Sequence, residues 1–273
     1  MSNSDLIIRS ANRNTLIYPD PGQFTITQSQ TSFSESGIRR LGCESVQFFY
    51  NIPNINARNN VMGITTSSMS YLVTVPESFY DYNTLATALA VQLNTLGLGA
   101  FTVTWSTTLY RFVITAPVPI NMFSYPGQRR DLSAVMGFSY NLPLATTITG
   151  QMADLTYTRN LYITSNALNR HKTMGDQASN FFNNILFVVP VYNSSEFQRS
   201  NSLTAEYGYL LDPHNIFYQP HNMKTINWNG DTIGDIDVAV YDDQEQILYN
   251  PYTSPGNPTQ FGTSFRFTIL GSK

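Results

Sequence analysis

The chain has 273 residues, of which 42% are hydrophobic, 13% aromatic and only 12% charged. This is long enough for one sizeable core and a second, smaller one, and too apolar for a disordered chain. With a net charge of −3 and no basic run beyond the pairs Arg39-Arg40 and Arg129-Arg130, it argues against a nucleic-acid-binding face.

The Tyr and Phe content, 17 of each, suits β-sheets and large buried or partner-facing surfaces. A monomer with so few charges would be sticky, which hints that other subunits cover much of its surface. Cys43 is the single cysteine. That excludes an internal disulfide framework and a metal site built from several thiolates. Cys43 reads as a small buried hydrophobe, compatible with a reducing compartment. The start Met1-Ser2-Asn3-Ser4-Asp5 lacks the features of a signal peptide. No segment approaches the roughly 18 apolar residues that span a bilayer. The expectation is a soluble protein made in the cytosol. Asn193-Ser194-Ser195 fits a glycosylation acceptor by pattern only.

Taken in order, residues 1–18 read as an N-terminal arm, with Leu6-Ile7-Ile8 a short apolar run between polar segments. Tyr18 to Gly22 is a turn cluster, and Phe24 and Ile26 alternate with polar residues as a first strand. Ile38 to Asn51 holds another strand. The stretch from Asn51 to Asn60 is a polar, turn-rich loop.

Residues 71–140 read as a self-contained strand–helix–hairpin–helix unit. Tyr71 to Pro76 is a strand, and Asp81 or Asn83 caps a helix. Leu85, Leu89, Leu93 and Leu96 then share one helix face, and Gly97 and Gly99 end it. Phe101, Val103 and Trp105 alternate outward, a turn follows at Ser106-Thr107-Thr108, and Tyr110, Phe112 and Ile114 alternate back. Asp131 or Ser133 opens a short turn of helix, Leu132 to Met136, closed by Gly137.

Beyond this unit the pattern is β again. Asn141 to Gly150 reads as a connector, and Leu155 to Ser165 as a strand. The run Ile185 to Val189, apolar on both parities, predicts a strand buried on both faces. Further strands are expected at Leu203 to Leu211, Ile216 to Tyr218, Ile226 to Trp228, Ile236 to Val240, Ile247 to Tyr249 and Phe265 to Ile269. The fold expected is all-β: one jelly-roll sandwich of about eight strands, made of residues 19–70 plus 141–273, with a small inserted α+β unit at 71–140.

No catalytic constellation stands out. His171, His214 and His221 have no metal-ligand spacing. The acidic residues Asp231, Asp235, Asp237, Asp242, Asp243 and Glu245 lack the calcium-loop pattern and read as turn residues framing a strand. A nucleophile elbow, a phosphate loop and a dinucleotide turn are all missing. No cofactor, metal or catalytic residue is therefore expected, and no enzymatic activity.

Several stretches resemble the vertex (penton) and minor capsid proteins of virophages, polinton-like viruses and large icosahedral double-stranded DNA viruses. They are Asn51-Ile52-Pro53-Asn54-Ile55-Asn56 with Asn59-Asn60, Val73 to Pro76, Tyr82 to Leu85, and Leu93-Asn94. The hairpin Phe101 to Thr104 with Phe112 to Thr115 and the stretch Leu132 to Phe138 continue the series. Ile233 to Val238, Tyr241-Asp242-Asp243 and the terminal Phe265 to Leu270 complete it. The resemblance implies a single jelly roll in a capsid vertex, as a homopentamer beside the major capsid protein and other minor capsid proteins. It implies a virion location and no direct contact with nucleic acid. On that reading Asp5, Leu6, Ile7 and Ile8 form an arm that orders on assembly. No Arg-Gly-Asp is present, so attachment through that tripeptide is not implied. Two other readings stand beside it: a minor capsid protein at another shell position, and a carbohydrate-binding jelly roll using Trp105 or Trp228. A hydrolase using the acidic residues is a third.

Overall fold

The computed structural model describes residues 4–18, 20, 22–27, 40–168, 185–191, 214–219, 225–227, 235–249 and 265–272. In chain order its strands begin with β1 (Ser4–Arg9), β2 (Gln23–Thr27), β3 (Arg40–Tyr50), β4 (Val61–Thr65) and β5 (Ser70–Thr74). Next come β6 (Thr102–Ser106), β7 (Arg111–Phe123), β8 (Ala145–Met152), β9 (Asn160–Thr164) and β10 (Ile185–Pro190). The last are β11 (His214–Tyr218), β12 (Thr225–Asn227), β13 (Asp235–Tyr241) and β14 (Phe265–Ser272). Two helices, α1 (Tyr82–Asn94) and α2 (Leu132–Val135), lie between β5 and β8 in sequence. The chain forms two compact units: one draws on Met1–Ile52, Thr158–Ser200 and Pro213–Lys273, the other on Pro53–Tyr157.

The first unit holds two antiparallel sheets. One runs β1-β14-β3-β11, with β12 also on β3. β11 pairs with Val46 to Tyr50 and β12 with Arg40 to Gly42, while β14 occupies the other edge of β3. β11 and β12 therefore follow each other along one edge and fill a single strand position. The other sheet runs β10-β9-β13-β2. Counting β11 and β12 as one, successive strands of this unit cross from one sheet to the other at every step except the β9-β10 pair, the interleaved order of a jelly roll. Phe187 of β10 and Tyr218 of β11 meet across the sandwich with ring centroids 5.5 Å apart. Alternation fills the core: Val46, Phe48 and Tyr50 of β3 and Ile216 of β11 come from one sheet. Phe24, Leu161, Ile163, Ile236, Val238 and Val240 come from the other.

Three expectations change here. Residues 1–18 are not simply an arm, because β1 pairs in register with β14 from Ser4↔Gly271 to Arg9↔Arg266. The run Ile185 to Val189 is not buried on both faces: β10 is an edge strand and Val188 is 39% exposed. The continuous apolar run is one covered face, Ile185, Phe187 and Val189, plus the less covered Leu186 and Val188. The stretch Ile247 to Tyr249 makes only an isolated bridge, Tyr241↔Ile247. The strand expected at Leu203 to Leu211 lies outside the described residues.

The second unit is wider than 71–140, because its sheet runs β5-β4-β7-β6 with β8 also on β7. β4 thus lies in this unit and not in the jelly roll expected to include residues 19–70, and β8 is a strand where the sequence reads as a connector. Both are held by the long strand β7, which pairs with β6 and β8 at one end and with β4 at the other.

The local elements follow from their residues. The Asp81 carboxylate accepts from Thr84 N at 2.7 Å while Thr84 Oγ1 accepts from Asp81 N at 2.9 Å, a reciprocal cap. Leu85, Ala86, Leu89 and Leu93 are buried on the face that packs against β5 and β6. Gly97, with φ +71°, follows the helix. The Asp131 carboxylate caps α2 through Ala134 N at 3.1 Å. Gly137 then takes φ +80°, where a Cβ would lie 2.6 Å from the Gln151 carbonyl oxygen, so only glycine fits.

The polar stretch before β4 is buried rather than solvated. Asn54 bonds Tyr80 twice, through Nδ2 to the carbonyl at 2.7 Å and through Oδ1 from the amide at 2.8 Å. Asn59 bridges Asn56 N and the Asn54 carbonyl at 2.7 and 2.8 Å. Asn60 donates to the Val75 carbonyl at 3.0 Å. Gln128 then ties Ala57, Asn60 and Val61 to the loop before α2. Asparagine carries both a donor and an acceptor, so it can satisfy buried backbone that has no strand partner.

Candidate assembly surfaces

The outer faces of the jelly roll are set by register. On β1, Ile8 is fully buried and Ile7 is 41% exposed, so alternation turns Ile7 and Arg9 outward. Arg9 lies opposite Arg266 of β14, Arg266 opposite Gln47 of β3, and Gln47 opposite Phe217 of β11. All four are exposed, which makes one outward row across the whole sheet. Phe49 is exposed one outward position further along β3.

On the other sheet, Val188, Tyr162 and Tyr241 form an outward row across β10, β9 and β13. Next to it Ala239 lies between Gln23 and Thr164. A depression of about 410 Å³ opens over Ala239, with Thr25, Tyr241, Asp237 and Glu245 among its lining. Beside it the Arg13 guanidinium donates to the Ser10 and Tyr18 carbonyls at 2.8 and 2.9 Å. That clamp holds the turn in which Leu16 and Ile17 stand out into solvent.

Asp5, Leu6, Ile7 and Ile8 all fall in β1, the terminal strand of its sheet. The acidic residues split up and do structural work. Asp237 accepts from Ser165 Oγ, Asn166 N and Nδ2, and Ala167 N, which fixes the turn after β9. Asp243 accepts from Thr158 Oγ1, Arg159 N and Asn160 N, which fixes the start of β9. Asp242 accepts from Gln244 N and Gln246 N. Burial pushes the Tyr162 phenol above its ordinary pKa, and the charge of Asp243 adds to it. No group of three or more metal-ligating side chains occurs among the described residues. Trp105 is half-buried against Tyr82, Tyr110 and Phe112. His171, His221, Trp228, Asp231 and Asn193-Ser194-Ser195 lie outside the described residues, as do the side chains of Cys43 and His214.

No family model matches this sequence, and no curated protein matches it either. Solved structures do. The mavirus penton protein aligns over 99% of this chain and 99% of its own, with a TM-score of 0.52 at 14% identity. A chain of the Sputnik virophage, solved by cryo-electron microscopy, aligns over 99% of this chain and 97% of its own. Its TM-score is 0.40 at 14% identity. The fold is that of the mavirus penton protein. The outward row through Arg9 and Arg266 was not legible in the sequence, since residues at opposite ends of the chain meet only through register. The one available signal was the alternation of Arg266 and Thr268 with Phe265, Phe267 and Ile269.

Proposed function

We propose that this chain is a structural capsid protein that forms the vertex of an icosahedral viral shell as a homopentamer. The observation that carries the reading is the match to the mavirus penton protein along essentially the whole of both chains. It spans the jelly roll together with the unit that occupies Pro53–Tyr157, between β3 and β9 in sequence. A plain jelly roll is shared by many proteins and says little about function. A match that runs on through the second unit of this chain is more specific than one to the roll alone. Partners on this reading are four further copies, the major capsid protein and other minor capsid proteins. The location is the virion, after synthesis in the host cytoplasm, and the work is packing rather than chemistry. Among the described residues β1 is an edge strand of its sheet, and edge strands are where added chains pair. Asp5, Leu6, Ile7 and Ile8 are therefore proposed as part of the assembly contact, now as an ordered strand.

Native mass spectrometry of the purified chain over a range of concentrations, with and without the major capsid protein, tests this. A five-subunit species is the expected result. A trimer as the terminal species overturns the vertex role and moves the chain to another shell position.

A further inference from the structure

Building on the vertex reading, we propose how the ring closes. The outer face of the β1-β14-β3-β11 sheet docks on the outer face of the β10-β9-β13-β2 sheet of the next copy.

Three observations lead there. First, Arg9 and Arg266 stand directly opposite each other on adjacent strands, both exposed. Like charges in that relation are destabilising within one chain. Neither arginine has a carboxylate partner among the described residues. The face also carries Phe217, 52% exposed, and Phe49 and Ile7 beside it. It is cationic and aromatic, and an anion brought by a second copy would relieve the cost of the arginine pair.

Second, the opposite face supplies the complement. Asp235 is exposed on β13 and Glu245 lines the depression over Ala239, while Asp237 and Asp243, whose oxygens are taken up by the turns they fix, add negative charge alone. The hollow of about 410 Å³ offers room for an aromatic ring such as Phe217, with carboxylates at its edge for the guanidinium groups.

Third, the two faces are the two sides of one sandwich. A contact between them is heterologous, so it repeats from subunit to subunit instead of stopping at a dimer, and it closes as a ring when five such steps complete a turn. A second copy of this chain is thus the occupant that fits both charge and topology.

The test compares the full wild-type chain with Arg266→Glu, with Asp235→Arg, and with both together, by native mass spectrometry and sedimentation at matched concentrations. Each single reversal is expected to weaken ring formation at least about tenfold, as for a desolvated charge contact. The double reversal restores it, because the signs are exchanged on both faces. Arg266→Glu also removes the like-charge pair, so its melting temperature should equal or exceed that of the wild type, which separates an interface role from a folding role. Should Arg266→Glu fail to fold, Phe217→Ser reads the same contact without a charge change, with the same loss expected. Rings undiminished in the single reversals and in Phe217→Ser overturn this pairing of faces and leave the vertex reading standing. A wild-type chain that stays monomeric at every concentration, alone and with the major capsid protein, overturns both.

Discussion

The phenol ring of Tyr82 lies flat against the indole of Trp105, with centroids 3.9 Å apart and 4° between the planes. Tyr82 opens α1 and Trp105 sits on β6, so the stack pins the start of the helix to the hairpin. Phe112, fully buried on β7, approaches the indole at 4.8 Å. A sugar-binding tryptophan needs a free face, and Tyr82 covers one face of this indole. Trp105→Ala should lower the unfolding free energy by on the order of 2 to 3 kcal/mol, with a much smaller loss for Trp105→Phe. Chemical denaturation followed by far-ultraviolet circular dichroism measures it. A glycan array whose hits vanish in Trp105→Ala at unchanged stability would reverse the assignment.

Asn59 allows a nearly isosteric test of the buried asparagine latch. Its Nδ2 donates to the Asn54 carbonyl at 2.8 Å, and its Oδ1 accepts from Asn56 N at 2.7 Å. Asn59→Asp keeps the shape but points an anionic oxygen at that carbonyl in a buried site. A loss of about 3 kcal/mol or more at neutral pH is expected. Burial and the facing carbonyl raise the folded-state pKa of the introduced carboxyl above its unfolded value of about 3.9. Its penalty therefore shrinks on acidification, as the protonated carboxyl donates to the carbonyl in place of the amide. Denaturation midpoints of wild type and variant should converge between neutral and acidic pH. A gap that stays constant with pH would place Asn59 in a solvated loop.

Tyr140 donates to Asp131 Oδ1 at 2.6 Å, and the other carboxylate oxygen accepts from Tyr125 N at 2.8 Å. Burial, together with that carboxylate, holds the Tyr140 phenol well above its ordinary range. The folded-state pKa is raised, so its contribution to stability is complete below the unfolded value of about 10. It is lost as pH rises beyond that value, because only the unfolded chain releases the proton. Tyr140→Phe should cost roughly 1 to 3 kcal/mol near neutral pH, through the lost bond and the exposed acceptor. The same variant should flatten part of the alkaline fall in stability above about pH 10. Thermal melts from pH 7 upward follow both effects, and an unchanged alkaline slope would show that Tyr140 does not contribute to it.

What was legible in the sequence was local. The Asp81 cap, the spacing of Leu85, Leu89 and Leu93, and Gly97 sit within one helix and its ends, and α1 forms as they predict. The hairpin around Phe112 and the Asp131 cap of α2 were readable for the same reason. β4 was not, because its central residue is Gly63. A Cβ there would fall 2.7 Å from the Phe123 ring, so the position is defined by a side chain sixty residues away that leaves no mark on the pattern. β8 is threonine-rich and resembled a linker until paired with β7. The acidic residues near β13 were visible as a group, but their hydrogen-bond partners, Ser165 to Ala167 and Thr158 to Asn160, lie some seventy to eighty-five residues earlier.

β1 was the hardest element to read, and it gives the sharpest contrast between neighbouring residues. Leu6-Ile7-Ile8 is apolar on both parities, so the sequence could not say which residue faces the core. Its partner β14 stands at the other end of the chain. With Ile8 fully buried and Ile7 41% exposed, the two isoleucines should respond very differently to truncation. Ile8→Ala should cost about 2 to 5 kcal/mol, through lost transfer energy and a cavity in the sandwich. Ile7→Ala should change monomer stability by no more than about 0.5 kcal/mol. Deleting residues 1–12 would remove the strand itself, so that truncation should unfold or aggregate the jelly roll rather than yield a folded, assembly-deficient monomer. Equilibrium unfolding of the two point variants, with sedimentation of the truncated chain, decides the matter. If the truncated chain stays folded and monomeric with its melting temperature unchanged, β1 is not integral to the sheet, and the segment would act as an arm that orders only on assembly.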